Sequence, residues 1–526
     1  MTYASIPKEK FEFVNNTNLH DEKLKTKSRS FFADAFLRFR KNKSSVVAAW
    51  IIAFLVLFSI LAPIISPYSV YDRTTKYQKM PPFIESIAEK NLGILDGGTT
   101  RDSQNELQIN QLKFIALETG HDPIIEMLGT KEVVEIYRGK ERVTKYYSVE
   151  VNSYYAVGIW TLNLSYEEFA RIQAWQDANN IQVIYPWVDK ADVYADATGK
   201  EPQNFKDYKL KDNVWYKCAD YKDTPLLDEN GNPIAAYCTN KAIAGTYPDG
   251  SPIEYTSKMR IAGDDGSYIY CASKSGSVVC RLDFYNYYKY LNGRAPTFLF
   301  GTDNYGGDLF CAIGMGARFS LIFAVIVSAI NLVIGAFYGA AQGYYGGWLD
   351  LILDRISDIL SGVPFIVVAT LFKLHLADQV GPVVSFLFAF VLTGWIGMAA
   401  LTRKQFYRFK NSEYVMAART LGAKDGRLMF KHIFPNAIGT MITSCALVIP
   451  GVISSETSLS YLGIIDLSDV TGTSIGTLMA SGQDAISAAP HAMLYPALFL
   501  SLLLISFNLF GNGLRDAFNP STRGAE

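Results

Sequence analysis

The run SSVVAAWIIAFLVLFSILAPIIS, Ser44 to Ser66, contains no charged residue and is long enough to cross a bilayer as a helix. A cleaved signal peptide has a short apolar region near the start of the chain, whereas this run follows a long polar tail, so the helix is expected to be retained. Arg38, Arg40, Lys41 and Lys43 in the flank RFRKNK put residues 1–43, read as a tail with an interfacial helix, in the cytoplasm under the positive-inside bias. Whatever follows Pro67 is then outside.

Average composition conceals this organisation. The 526 residues, 19% of them charged with a formal net charge of -1, have the averages of a soluble protein, but apolar and polar stretches are segregated along the chain. Length alone suggests two structural units. Further apolar runs span 317–342, 351–372, 381–402, 437–455 and 491–511, and Asp354, Arg355 and Asp358 interrupt the start of the second of these. Six spans result, which return the C-terminal tail, 513–526, to the cytoplasm. Charge placement tests the count independently. Between Lys431 and Arg515 there is no Lys or Arg, as befits two spans joined by an external loop, whereas Arg403, Lys404, Arg408, Lys410, Arg419, Lys424, Arg427 and Lys431 crowd one short segment. GYYGG, Gly343 to Gly347, falls where a span should exit and is read as a tight turn rather than a ligand-binding glycine loop.

Residues 67–298 form a polar stretch of domain size between the first and second spans, so the fold class is an all-α polytopic membrane protein with an inserted, extracytoplasmic α+β domain. RVTKYYSVEV and IQVIYPWV read as strands, and SYEEFARIQAWQDANN reads as a helix opened by a Ser165 to Glu168 capping box. Four of the six cysteines lie here. Cys218 and Cys238 flank LLDENGNPI, and Cys271 and Cys280 flank ASKSGSVV, each a strand-turn-strand pattern, so the favoured disulfides are Cys218–Cys238 and Cys271–Cys280; four reduced thiols are the alternative. DENGN, from Asp228, has Thr239 instead of a glutamate at the twelfth position and reads as a hairpin turn, not a calcium loop. The five histidines lack metal-ligand spacing and no Walker-type phosphate loop occurs, so no metal and no nucleotide cofactor is expected in this chain. Glu456, at the end of an apolar run, is either a functional group of a translocation path or gate, or a solvated or paired residue at the external mouth.

Several ordered motifs carry a resemblance. FGTDNYGGDLFCAIGMGARFSL (Phe300 to Leu321), AARTLGAKDGRLMFKHIFPN (Ala417 to Asn436), ETSLSYLG (Glu456 to Gly463), NLFGNGLRDAFNP (Asn508 to Pro520) and the N-terminal FLRFRKNKSSVV resemble the C-type permease subunits of ATP-binding-cassette importers for dipeptides and oligopeptides. The resemblance covers roughly 30–67 and 298–521. It implies the type I importer fold, with a transporter core over 299–512 and a cytoplasmic EAA coupling loop over 403–436. Met416 stands where the motif's glutamate would fall, with Glu413 near, and Gly307 and Ala312 stand where the family usually has arginine.

What the resemblance implies for the loop agrees with its physics. It would form a helix-turn-helix docking in a groove of the ATPase subunit, with Ala417 and Ala418 allowing close packing and Gly422 the sharp turn. Glu413, Ala423, Lys424, Asp425 and Pro435 complete the implied coupling set. The expected partners are a second permease subunit, two cytoplasmic ATPases that bind ATP and Mg, an extracytoplasmic substrate-binding protein, a peptide substrate and the bilayer of a bacterial plasma membrane, with no nucleic acid. Nickel chelates and sugars are alternative cargoes, and an ion-coupled secondary transporter is the rival mechanism. The inserted domain is expected to guide or grip the receptor or its cargo, with a structural cap as the rival reading.

Overall fold

The computed structural model describes residues 31–90, 93–137, 140–194, 212–219, 224–466 and 472–518. The expected tail over 1–30 and the end of the last motif, Asn519 and Pro520, lie outside them. A short helix, α1 (Phe31–Lys41), precedes α2 (Lys43–Ile65), which starts at Lys43 and takes in all of the uncharged run but Ser66, its C-cap. Asn42 caps α2 by accepting from the Ser45 N–H.

An α+β unit follows, built as β1 (Phe83–Ile84), α3 (Glu85–Ala88), β2 (Gly98–Gln104), α4 (Glu106–Thr119), β3 (Ile124–Tyr137), β4 (Lys140–Asn152), β5 (Ile159–Leu164), α5 (Tyr166–Asn179), β6 (Ile184–Tyr185), α6 (Lys190–Tyr194), β7 (Cys271–Lys274), β8 (Ser277–Asp283), α7 (Phe284–Asn292) and β9 (Thr297–Phe298). Its sheets have the orders β2-β4-β3 and β5-β8-β6, with β7 also on β8, and β1 pairs with β9. Ser165 caps α5 by accepting the Glu168 N–H, one half of the expected capping box, while the Glu168 carboxylate pairs with Arg171. Of IQVIYPWV only Ile184–Tyr185 is regular strand; Gln176 Oε1 takes the Val183 and Ile184 N–H groups in place of a neighbouring strand. The core includes a buried Arg281–Glu118 ion pair at 3.0 Å, with the Tyr237 hydroxyl donating to the same carboxylate.

The remaining helices are α8 (Leu309–Tyr345), α9 (Gly347–Ser361), α10 (Phe365–Val380), α11 (Pro382–Gly394), α12 (Ile396–Phe409), α13 (Glu413–Thr420), α14 (Asp425–Arg427), α15 (Phe434–Tyr461) with a π segment over Leu428–Ile433 before it, α16 (Ile475–Gln483) and α17 (His491–Phe518). Among the described residues five helices are long and apolar enough to cross a membrane: Lys43–Ile65, Leu309–Tyr345, Pro382–Phe409, Asp425–Tyr461 and His491–Phe518. The sixth expected span, 351–372, is not one straight helix. It is the pair α9 and α10, bent by 76° where Gly362, Val363 and Pro364 interrupt the ladder. GYYGG also divides unevenly: α8 runs through Gly343 to Tyr345, and the turn is made by Gly346 and Gly347, both at positive φ.

Small residues decide how closely these helices approach. A Cβ on Gly335, Gly339 or Gly343 of α8 would stand 2.7, 2.2 or 2.6 Å from atoms of α12, so the two backbones meet along a glycine stripe. A Cβ on Gly513 of α17 would stand 2.0 Å from Ser45 Oγ, which sets α17 against α2 in the same way.

Candidate functional site

The basic segment between α12 and α15 folds into two turns of helix and a sharp reversal. At the end of α13 the Gly422 N–H bonds to the Arg419 carbonyl and the Ala423 N–H to the Ala418 carbonyl. This is the Schellman arrangement, and it needs a left-handed residue at the position Gly422 occupies, with φ +83°. Lys424 is extended and opens α14, in whose first turn Asp425 sits. The loop is therefore a helix-turn-helix with its reversal at Gly422.

Its inner face is held to the spans. Val415, Leu428, Met429 and Ile433 pack with Ala340, Tyr344 and Phe406, and Ala418 and Ala423 lie half-buried against that cluster. Asp425 Oδ1 accepts the Tyr344 hydroxyl from the end of α8 at 2.6 Å. The outer face is bare. Leu421 is 88% exposed, and Glu413, Met416, Ala417, Gly422, Lys424 and Pro435 are exposed around it. Leu421 was not among the residues singled out from sequence; its only signal there is an apolar residue just before the glycine of the reversal. Close packing by Ala418 and Ala423 is internal, against α8 and α12, whereas Ala417 is left to the outside.

Glu456 is fully buried on α15 and paired. Ser320 of α8 donates to its carboxylate at 2.9 Å and Ser460, one turn along, at 3.1 Å, with Ser474, the cap of α16, within reach. A Cβ on Gly316 or Gly476 would collide with the backbone of Ser474 or of Thr457, so α16 is seated between α8 and α15 at this carboxylate. Its carboxylate is therefore paired and not solvated. It joins three elements.

The four cysteines of the α+β unit are divided by register. Cys271 and Cys280 stand opposite each other on β7 and β8, in a hairpin closed by Lys274 and Ser277 around Ser275 and Gly276 at positive φ. Counting pairs from the turn makes theirs a non-hydrogen-bonded site, where strands approach most closely. Both are thiols here, and burial pushes the Cys271 thiol up to about 12. Cys218 and Cys238 are not brought together: Tyr216 is bridged to Ala235, which runs Cys238 toward Asn213, away from Cys218, and Cys238 instead exchanges backbone bonds with Trp187 and Ile269. That expected pairing is corrected by the antiparallel register. DENGN is a turn, in which Asp228 Oδ1 accepts the Asn230 and Asn232 N–H groups.

The described residues thus form a bundle of helices long and apolar enough to cross a membrane, with an exposed helix-turn-helix between α12 and α15. Residues 331–524 match the family of binding-protein-dependent transport system inner membrane components, and residues 30–82 match the N-terminal transmembrane domain of oligopeptide transport permease C. The oligopeptide transport system permease protein OppC of Bacillus subtilis is 39% identical over 224 residues, covering 43% of this chain and 72% of that protein. The dipeptide transport system permease protein DppC of the same organism is 37% identical over 225 residues, covering 43% and 69%. OppC of Haemophilus influenzae is 36% identical over 234 residues, covering 44% and 73%. The chain belongs to the family of binding-protein-dependent transport system inner membrane components and is a polytopic membrane permease.

Proposed function

We propose that this chain is one of two distinct permease subunits of an ATP-driven importer that carries oligopeptides or dipeptides inward from an extracytoplasmic binding protein. The observation that carries the reading is the loop around Gly422: a preformed helix-turn-helix, fixed to α8 and α12 on one face and presenting Leu421 on the other. Such a surface suits a groove in a cytoplasmic ATPase. ATP and Mg would be bound and hydrolysed there, with no nucleotide site in this chain, and the loop would carry the motion into the spans.

On this reading α9 and α10 together make the sixth span, both termini are cytoplasmic, and residues 67–298 lie outside beside the receptor. Glu456 then acts at the outer end of the path, holding α16 in place through hydroxyls on three elements. The names of the relatives support peptide as cargo.

The test is co-purification and uptake. The tagged chain is expected to bring down an ATPase, and cells lacking it should lose uptake of labelled peptides. Replacing Gly422 and Lys424 by bulky acidic residues should abolish ATPase recovery while the chain still inserts. Normal recovery with that double variant would refute the docking assignment. Removing residues 84–297 across the β1–β9 pair should impair receptor docking; unaltered docking and uptake would sink the role given to the external unit.

A further inference from the structure

Arg403 lies on α12, ahead of the helix-turn-helix around Gly422, yet it links that turn to the bent helix pair. Its guanidinium spans two carboxylates of α9: Nη2 meets Asp350 Oδ2 at 2.7 Å and Nη1 meets Asp354 Oδ1 at 2.7 Å. The Tyr407 hydroxyl, one turn further along α12, donates to the same Asp350 oxygen. Asp354, one of the charged residues that interrupted an apolar run in the sequence, thus joins Asp350 on the polar face by which α9 is held, whereas Asp358 pairs with Arg355 at the surface. Tyr338 of α8 adds a bond to the Leu353 carbonyl at 2.7 Å. The other face of α9 is bare, with Trp348, Leu351 and Ile359 exposed. Polar grips, not a packed apolar face, hold α9 to α12.

This grip is incomplete in an informative way. Arg403 Nε and Asp350 Oδ1 are both buried and have no hydrogen-bond partner among the described residues. A guanidinium can instead engage one carboxylate as a fork, through Nε and one Nη. Turning the fork onto Asp350 alone would satisfy both orphaned atoms and release Asp354, whose side chain is 38% exposed and can be taken up by water. Asp350 and Asp354 are one helical turn, about 6 Å, apart along α9, so the exchange slides the contact by about 3 Å. Both grips keep two charge-assisted bonds.

Resting on the importer reading above, we propose that Arg403 is a positioning residue that transmits movement of the Gly422 loop to the α9–α10 pair by exchanging the bridged grip for the fork. The route is continuous. The loop packs on Phe406 and Tyr344, α12 is locked to α8 along the Gly335, Gly339 and Gly343 stripe, and Arg403 passes the displacement of that rigid pair to α9. Nothing in it requires α9 to touch the ATPase.

The test uses the assembled transporter, both permeases with the ATPases, in liposomes, with ATP hydrolysis measured with and without the binding protein and uptake followed with radiolabelled trialanine. Arg403→Lys keeps the charge but has no fork. It is expected to behave as Arg403→Gln does: normal ATPase recovery, continued hydrolysis, and at least a tenfold loss of uptake per ATP. Wild-type coupling in Arg403→Lys would reduce the contact to a simple ion pair and overturn the proposal. Asp354→Asn, at a half-buried position, removes the charge from the bridged grip only and should raise hydrolysis without binding protein severalfold. If the Arg403 variants do not assemble, unchanged basal hydrolysis in Asp354→Asn overturns the proposal by itself, and a severalfold rise supports it. Failure of the unmodified chain to recover any ATPase overturns the importer reading and this inference with it, whereas a variant that assembles and couples normally overturns this inference alone.

Discussion

Asp283 is the most exacting place to check the physics of the α+β unit. It ends β8 and caps α7, where its Oδ1 accepts the Tyr285 N–H, but it is only 2% exposed and its Oδ2 has no partner among the described residues. Burial, opposed by the Tyr285 and Asn286 N–H groups and by Lys289, pushes its carboxyl up to about 7. Folding therefore favours the protonated acid. Holding a carboxyl at about 7 instead of the usual 3.8 is worth about 4 kcal/mol. Between about pH 4 and 7 the folded state binds the extra proton, so stability falls by up to about 1.4 kcal/mol for each pH unit and levels off above 7. Asp283→Asn keeps the capping oxygen and never ionises. Hydrogen exchange at the β8 and α7 amides of the full chain in detergent, corrected for intrinsic rates, should show protection that declines from pH 5 to 7.5 in the wild type. In the variant that decline should be absent, and its protection at pH 8 should be higher by as much as about 4 kcal/mol. His121, whose pKa burial lowers, acts in the opposite sense, since the stability it contributes is lost as pH falls below 6.5; the difference between wild type and variant removes it. An equal pH dependence in the two proteins, or a variant destabilised at pH 8, would refute the reasoning.

Other outcomes are as definite. Gly339→Ala forces a Cβ to within 2.2 Å of the Ala399 carbonyl oxygen, with backbone on the receiving side, and should cost about 3 kcal/mol, read as lower membrane abundance and a lower thermal midpoint. Gly422→Ala meets nothing within 4 Å and carries only the left-handed backbone cost of about 1 kcal/mol, so insertion should be normal while ATPase recovery weakens. Arg281→Met strands the buried Glu118 carboxylate and should destabilise the α+β unit by about 3–5 kcal/mol, measured by limited proteolysis, whereas the double variant with Glu118→Leu should regain most of it. In cells, Cys271 and Cys280 should resist maleimide after denaturation without reductant and react after reduction; equal labelling in both conditions would show that they stay thiols.

What the sequence disclosed about this chain depended on range. The uncharged run in α2, the capping box at Ser165 and the turn at DENGN are local patterns, and local hydrogen bonding produced the elements they announced. The Gly422 reversal was legible for the same reason, since a helix end needing positive φ writes itself as glycine. The bend between α9 and α10 had its signals in view, Gly362 and Pro364 after an acid-rich start, but hydropathy averaged across them as one span. The grip of Arg403 on Asp350 and Asp354 joins residues some fifty positions apart, and the Cys218–Cys238 error turned on strand register between distant segments; neither is encoded at short range. Glu456 gave its location but not its hydroxyl partners on α8 and α16.

The pairing of β1 with β9 bears on how such a unit could be carried at all. Phe83 stands opposite Phe298, and the zipper continues below it, with Met80 bonded to Thr302 and Lys79 to Asp303. The backbone thus departs from and rejoins the membrane bundle at points about 5 Å apart, the spacing of neighbouring strands. To the helices beneath, more than two hundred residues of sheet and helix are equivalent to a tight hairpin. Its far side is free to be lengthened or exchanged, whereas its near side is tied to the segment after α2 by Tyr77, packed on Tyr154, Phe284 and Tyr288.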